Sequence, residues 1–172
     1  RVPLVIEFND ALYPALSLQL ACDYLGVDIK DVRILPRAVM LPSEKRIIRI
    51  PMDESGQMIL DYGGPLKTFR RYSYVQIIQD YAKSMAGEES KIIKHLSGKV
   101  LFVGHTATGT VDARIMPFSN AYPAVGVHAT ALSNILGSNF IERAPGALNA
   151  FVAVFLYCIL KELYNTFLSF PT

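Results

Sequence analysis

Four apolar residues, Val100 to Val103, run into Gly104 and then into roughly twenty residues without periodicity before an apolar helical pattern resumes at Ala124. A compact apolar run bounded by glycines predicts a strand covered on both faces. A loop of that length inside a compact domain is usually functional or mobile. In open α/β sheets, ligands bind in the crevice beyond the carboxyl ends of the strands. The stretch from Lys99 to Leu136 therefore frames the fold and the question of function together, as strand, glycine turn, long loop and helix.

The rest of the chain supplies elements for that strand to join. Val2 to Phe8 has strand composition and ends at the turn residues Asn9 and Asp10. Pro14 suits a first helical turn. Leu16, Leu18, Leu20, Ala21, Tyr24 and Leu25 then make an apolar face that closes at Gly26 and is suited to packing on a sheet. Between Val32 and Tyr62, the segments VRILPRAVML, KRIIRI and MILDY predict three strands of an antiparallel meander. Arg33, Arg37, Lys45 and Arg46 read as solvated charge that discourages edge pairing, not as a binding patch. Ser73 and Gln76 form a capping box ahead of Tyr74, Ile77, Ile78, Tyr81 and Met85, and Gly87 ends that helix. A second short helical piece follows, with His95 among charges and exposed, not ligating. The fold class is thus α/β, a mixed sheet with an antiparallel meander and a central strand followed by a long loop and helix, with a hydrophobic helix at the C-terminus.

Composition narrows the functional classes. With 51% hydrophobic residues, 172 residues are enough for a real core. The 17 Lys and Arg against 15 Asp and Glu leave a net charge of +2, and the basic residues are scattered, which argues against nucleic acid. Cys22 and Cys158 lie far apart in apolar patterns and read as buried free thiols. GHTATG after the strand invites a phosphate loop, but no Lys-Ser/Thr pair follows the second glycine and the spacing is not GxGxxG. Asp112 has no carboxylate or histidine at ligand spacing, so no metal and no cofactor is implied. With Thr106 and Thr108 it can hold an irregular loop in shape through backbone hydrogen bonds. His128 precedes Leu132, Ile135 and Leu136 by one and two turns, which turns its imidazole toward the apolar face. No GxSxG elbow or Cys-His signature accompanies it.

Several of these residues carry a family resemblance. KVLFVGHTATGTVDARIMPFSNAYPAVGVHATALSNILGSNFIERAP resembles the C-terminal half of the second type of CHASE domain, the cyclase- and histidine-kinase-associated sensory extracellular domain. RVPLVIEFNDALYPALSLQLA, the I-R-I-P of Ile48 to Pro51 with DESGQMILDYGGP, and the SYVQII helix resemble the same family in the same order. Its densest part is Gly104, Thr106, Ala107, Asp112, Pro117, Pro123 and His128-Ala129. Ala124 stands where the family pattern has Gly. The resemblance implies residues 1–145 as the later portion of a sensory domain, without the strand-helix unit that opens other members. It implies no catalysis in this chain, and Gly104, Thr106, Asp112, Pro117, Pro123 and His128 as residues of conformational integrity or sensing.

Ala147 to Leu160 is an uncharged run of fourteen residues, a core or interfacial helix by length alone. Continued through Lys161 and Glu162 to Phe170 it is long enough to cross a bilayer, with charged side chains snorkelling near one face. The resemblance favours that second reading, with residues 146–172 as the start of a transmembrane region. It further implies a receptor in the cell membrane, with this domain periplasmic or extracellular and an unidentified external ligand. A homodimer and a cytoplasmic nucleotide cyclase as output complete that picture. The residues also admit a soluble α/β enzyme or small-molecule binding domain using the Gly104 to His128 region.

Overall fold

The computed structural model describes residues 1–63, 69–104, 113–116 and 119–168. Two compact units make up the chain, Arg1–Ile141 and a second that begins at Glu142. In the first, the N-terminal apolar run becomes β1 (Val2–Pro3) and β2 (Val5–Phe8), separated at Leu4. β2 turns back at Asn9-Asp10 into β3 (Ala11–Pro14), with Phe8 opposite Ala11. Both turn residues have positive φ, 50° and 58°. A two-residue I′ hairpin loop needs that conformation, and Asn and Asp tolerate it better than other side chains. Pro14 belongs to β3, opposite Val5, and not to a helix's first turn as expected.

Helix α1 (Leu16–Leu25) closes on Gly26 in the left-handed conformation. It buries Ser17, Leu18, Ala21 and Cys22, while Leu16 and Tyr24 are exposed. The buried stripe is narrower than the spacing predicts, and it packs against a second helix, α4 (Ala124–Gly137), as well as against the sheet residues of the core.

The meander is present with a different partition. β4 (Arg33–Leu35), β5 (Ala38–Pro42) and β6 (Ile47–Pro51) form one antiparallel sheet in that order. VRILPRAVML is therefore two strands turned at Pro36-Arg37. From the MILDY region only Gln57–Met58 forms a strand, β7, and it pairs with β1. Val39 lies opposite Ile50 and Leu41 opposite Ile48, all four buried, while Ile47 and Arg49 face outward. A period of two along each strand puts these pairs on one face, where they join Leu4, Leu18, Ala21, Met58, Ala131 and Ile135 in a single core. Arg37 does pair at the surface, with Glu54 at 2.7 Å. Arg46 is exposed, as expected of solvated charge, and its Nη2 also donates to the Leu136 carbonyl at 2.9 Å, in the last turn of α4.

α2 (Tyr74–Met85) starts with the capping box that Ser73 and Gln76 predict: Gln76 N–H donates to Ser73 Oγ at 3.2 Å and Ser73 N–H to Gln76 Oε1 at 2.9 Å. Its apolar side chains Tyr74, Val75, Ile78, Tyr81 and Met85 stand exposed. α3 (Ile92–Leu96) is tied to it by Asp80, whose carboxylate accepts from Ser90 Oγ at 2.5 Å and from the amides of Ile92 and Ile93 at 2.9 and 3.0 Å.

Val100–Val103 joins no ladder among the described residues, and all strand pairings there are antiparallel, in four small sheets. Val100 and Phe102 pack against the core while Leu101 and Val103 are exposed. Only one face of this segment is covered, which is why it lacks the two-sided burial of a central strand. β8 (Ala113–Met116) and β9 (Ser119–Pro123) pair antiparallel, and β9 leads directly into α4.

The second unit holds α5 (Gly146–Leu168). Its stretch Gly146–Asn165 is apolar enough and, at 20 residues, long enough to cross a membrane, and none of it is buried. Cys22 is a buried thiol as expected, but Cys158 on α5 is exposed.

Candidate functional site

α4 organises the polar chemistry of the first unit. Its core stripe is Ala131, Leu132 and Ile135, and the same helix also buries the polar Thr130 and Asn134. Thr130 Oγ1 donates back to the Gly126 carbonyl at 2.8 Å, and Tyr122 OH reaches the same oxygen at 3.4 Å. Tyr122 is nearly fully buried and meets Tyr62 edge-to-face, ring centroids 5.9 Å apart. Burial pushes the Tyr62 phenol above its ordinary pKa, and Tyr122 adds to the rise.

Asn134 binds the backbone of Asp61 on both sides. Its Oδ1 accepts from Asp61 N–H at 2.9 Å and its Nδ2 donates to the Asp61 carbonyl at 3.0 Å. One amide thus acts as a strand-like partner for a segment that has left the sheet, satisfying a donor and an acceptor at once. Beside this pair lies a cleft of about 120 Å³ lined by Asp61, Phe69, Thr130, Ser133, Asn134 and Asn139. That volume holds a few waters or a very small polar molecule and falls below the usual range for larger ligands.

The sequence-predicted residues divide into three groups. Gly104 sits against the first turn of α4: a Cβ added there would meet the Val125 Cβ at 2.8 Å. Pro123 ends β9 and stands at the N-cap of α4 with φ −61°. His128 lies one turn beyond Val125, half-buried, and its Nδ1 is buried without a hydrogen-bond partner. This corrects the hydrogen-bonded state that burial implies for a polar ring. Thr106, Asp112 and Pro117 lie outside the described residues. Gly104, Pro123 and His128 are therefore all found at the start of α4.

Asn134, Asp61 and the Tyr62–Tyr122 pair escaped the sequence reading. Thr130 and Asn134 carry a faint signal, two polar residues at i and i+4 within an otherwise apolar helix, which places them on one stripe. Nothing in the sequence links that stripe to Asp61, seventy-three residues away.

The chain thus presents a small α/β module with a polar cleft along one helix and, in its second unit, an apolar helix long enough to span a bilayer. A family model matches residues 1–161, and the family is one of extracellular sensory domains of signalling receptors, which sense and do not catalyse. The chain belongs to the CHASE2 domain family, and the match runs into α5. No curated protein and no solved structure matches it.

Proposed function

We propose that this chain is the extracytoplasmic sensing module of a transmembrane receptor, with residues 1–145 as sensory domain and residues 146–172 as the start of the membrane region. Its output is a cytoplasmic nucleotide cyclase and the receptor works as a homodimer. The observation that carries the reading is the CHASE2 match together with α5, whose largely apolar twenty-residue stretch Gly146–Asn165 spans about 30 Å, the thickness of a bilayer core, and lies unburied.

In this reading the start of α4 is the responsive element. Gly104, Pro123 and His128 shape it, and Thr106, Asp112 and Pro117 precede it along the chain. A ligand acts by binding one arrangement of the module more tightly than another, and the signal is limited by that difference in affinity.

The membrane claim is tested by expressing the full chain with a reporter after Thr172. The protein should sediment with membranes, resist alkaline extraction and be released by detergent, with the first unit reachable by protease only from outside the cell. Recovery in the soluble fraction without detergent would overturn it. For sensing, His128→Phe removes a buried nitrogen that has no partner, so stability should change by less than about 1 kcal/mol. Cyclic nucleotide output of the complete receptor should shift. Unaltered output at unaltered stability removes His128 from the proposal.

A further inference from the structure

Away from α4, three basic side chains converge. Arg70, just ahead of α2, donates from Nη1 to His95 Nε2 at 2.8 Å. Lys99 Nζ lies 2.9 Å from the same nitrogen and 3.4 Å from Nδ1. The Tyr72 ring meets the imidazole edge-on, with centroids 6.4 Å apart. A neutral imidazole Nε2 carries a single lone pair, so a guanidinium and an ammonium are crowding one acceptor. Two like charges are held together with no countercharge between them among the described residues.

No carboxylate relieves this arrangement among the described residues. The ion pairs found there are Arg1–Asp53 and Arg37–Glu54, neither of which involves the cluster. Asp80 on α2 is committed to Ser90 and the start of α3. Among the described residues, the groups that face His95 are Arg70, Lys99 and Tyr72. Loss of water and the two neighbouring cations keep the imidazole below its ordinary pKa, and so neutral.

An oxyanion completes such a set. A guanidinium offers a fork of N–H donors matched to phosphate or sulfate oxygens, and an ammonium adds a point charge. The imidazole becomes a third donor once protonated. We propose that Arg70, His95 and Lys99 form a binding site for a small oxyanion of the phosphate or sulfate class. The three groups close on one point and do not form a stripe, which suits a single anionic group better than a polyanion. This site is separate from the cleft beside α4 and stands whether or not the sensory reading holds.

The test uses the full chain in nonionic detergent, with inorganic phosphate as probe and chloride at equal ionic strength as reference. Nitrogen-15 NMR of the imidazoles should show a saturable shift at His95 in phosphate, with its titration midpoint moving up, while His128 stays unmoved. Both Arg70→Gln and Lys99→Gln should weaken phosphate binding about tenfold, the loss of one charge-assisted hydrogen bond. Circular dichroism checks that each variant is folded. Arg33→Gln, which removes an exposed charge on β4, should leave binding unchanged. If chloride moves His95 equally, or Arg33→Gln weakens binding as much as the cluster variants, the effect is diffuse screening and the site is refuted. Acetate binding as tightly as phosphate would overturn the assignment of anion class.

Discussion

At the scale of single residues, two positions behave in ways that their chemistry makes testable. The absent side chain at Gly104 lets the segment after Phe102 approach Val125, and a methyl there would overlap the valine. Gly104→Ala should cost roughly 1–3 kcal/mol in thermal or denaturant unfolding, the usual penalty for overpacking. Val125→Ala in the same chain should recover part of that loss, whereas additive losses would mean the close approach does not exist. Cys22 is the second case. Burial, with the nearby Asp23 carboxylate as a lesser cause, pushes its thiol from the ordinary 9.0 up to about 11. A raised folded pKa means that its contribution is fully present below pH 9 and is lost as pH climbs toward 11. Cys22→Ala should flatten stability over that window relative to the parent chain, and an identical profile would show that the thiol does not titrate as argued.

Among the elements, the α2–α3 corner depends on one carboxylate. The hydrogen bond from Ser90, followed by those from the α3 amides, holds Asp80 below its ordinary pKa of 3.8. With the folded pKa depressed, the latch is at full strength above pH 3.8 and weakens as pH falls below it. Protection of the Ile92 and Ile93 amides relative to their intrinsic exchange rates at each pH should therefore fall on acidification, and Asp80→Asn should produce the same loss at neutral pH. Protection unchanged in the variant would assign the corner to packing instead. The capping box that starts α2 was readable as Ser73-x-x-Gln76, because both partners lie within one turn. Asp80 was not, because an aspartate inside a helical pattern looks the same whether it faces water or caps another helix ten residues later.

For the whole molecule, the core joins residues distant in sequence. Ile50 from β6, Leu18 from α1 and Ile135 from α4 share one buried cluster. Ile50→Ala should cost about 2–5 kcal/mol. Because strand and helices draw on the same cluster, probes on β6 and on α4 should report one common transition. Separate melting of the meander and the helices would show that the core is two clusters, not one. Membership of the CHASE2 family sets the role of the chain as sensing.

Features whose partners lie close along the chain follow from local sequence. The Asn9-Asp10 turn, the helix ends at Gly26 and Ser73, and the uncharged run of α5 from Ala147 to Leu160 each follow from short-range sterics, capping or hydropathy. The α/β class and the family were legible for the same reason, since both rest on local patterns in a fixed order. Tertiary structure alone decided where the polar groups meet. Asn134 finds the Asp61 backbone, Arg46 finds the end of α4, and Arg70 and Lys99 find His95, all through contacts that no periodicity encodes. It also decided against the central strand, because Val100–Val103 has the composition of a buried strand but receives packing on only one face. A strand is defined by the neighbour it pairs with, and that neighbour is not written in its own residues.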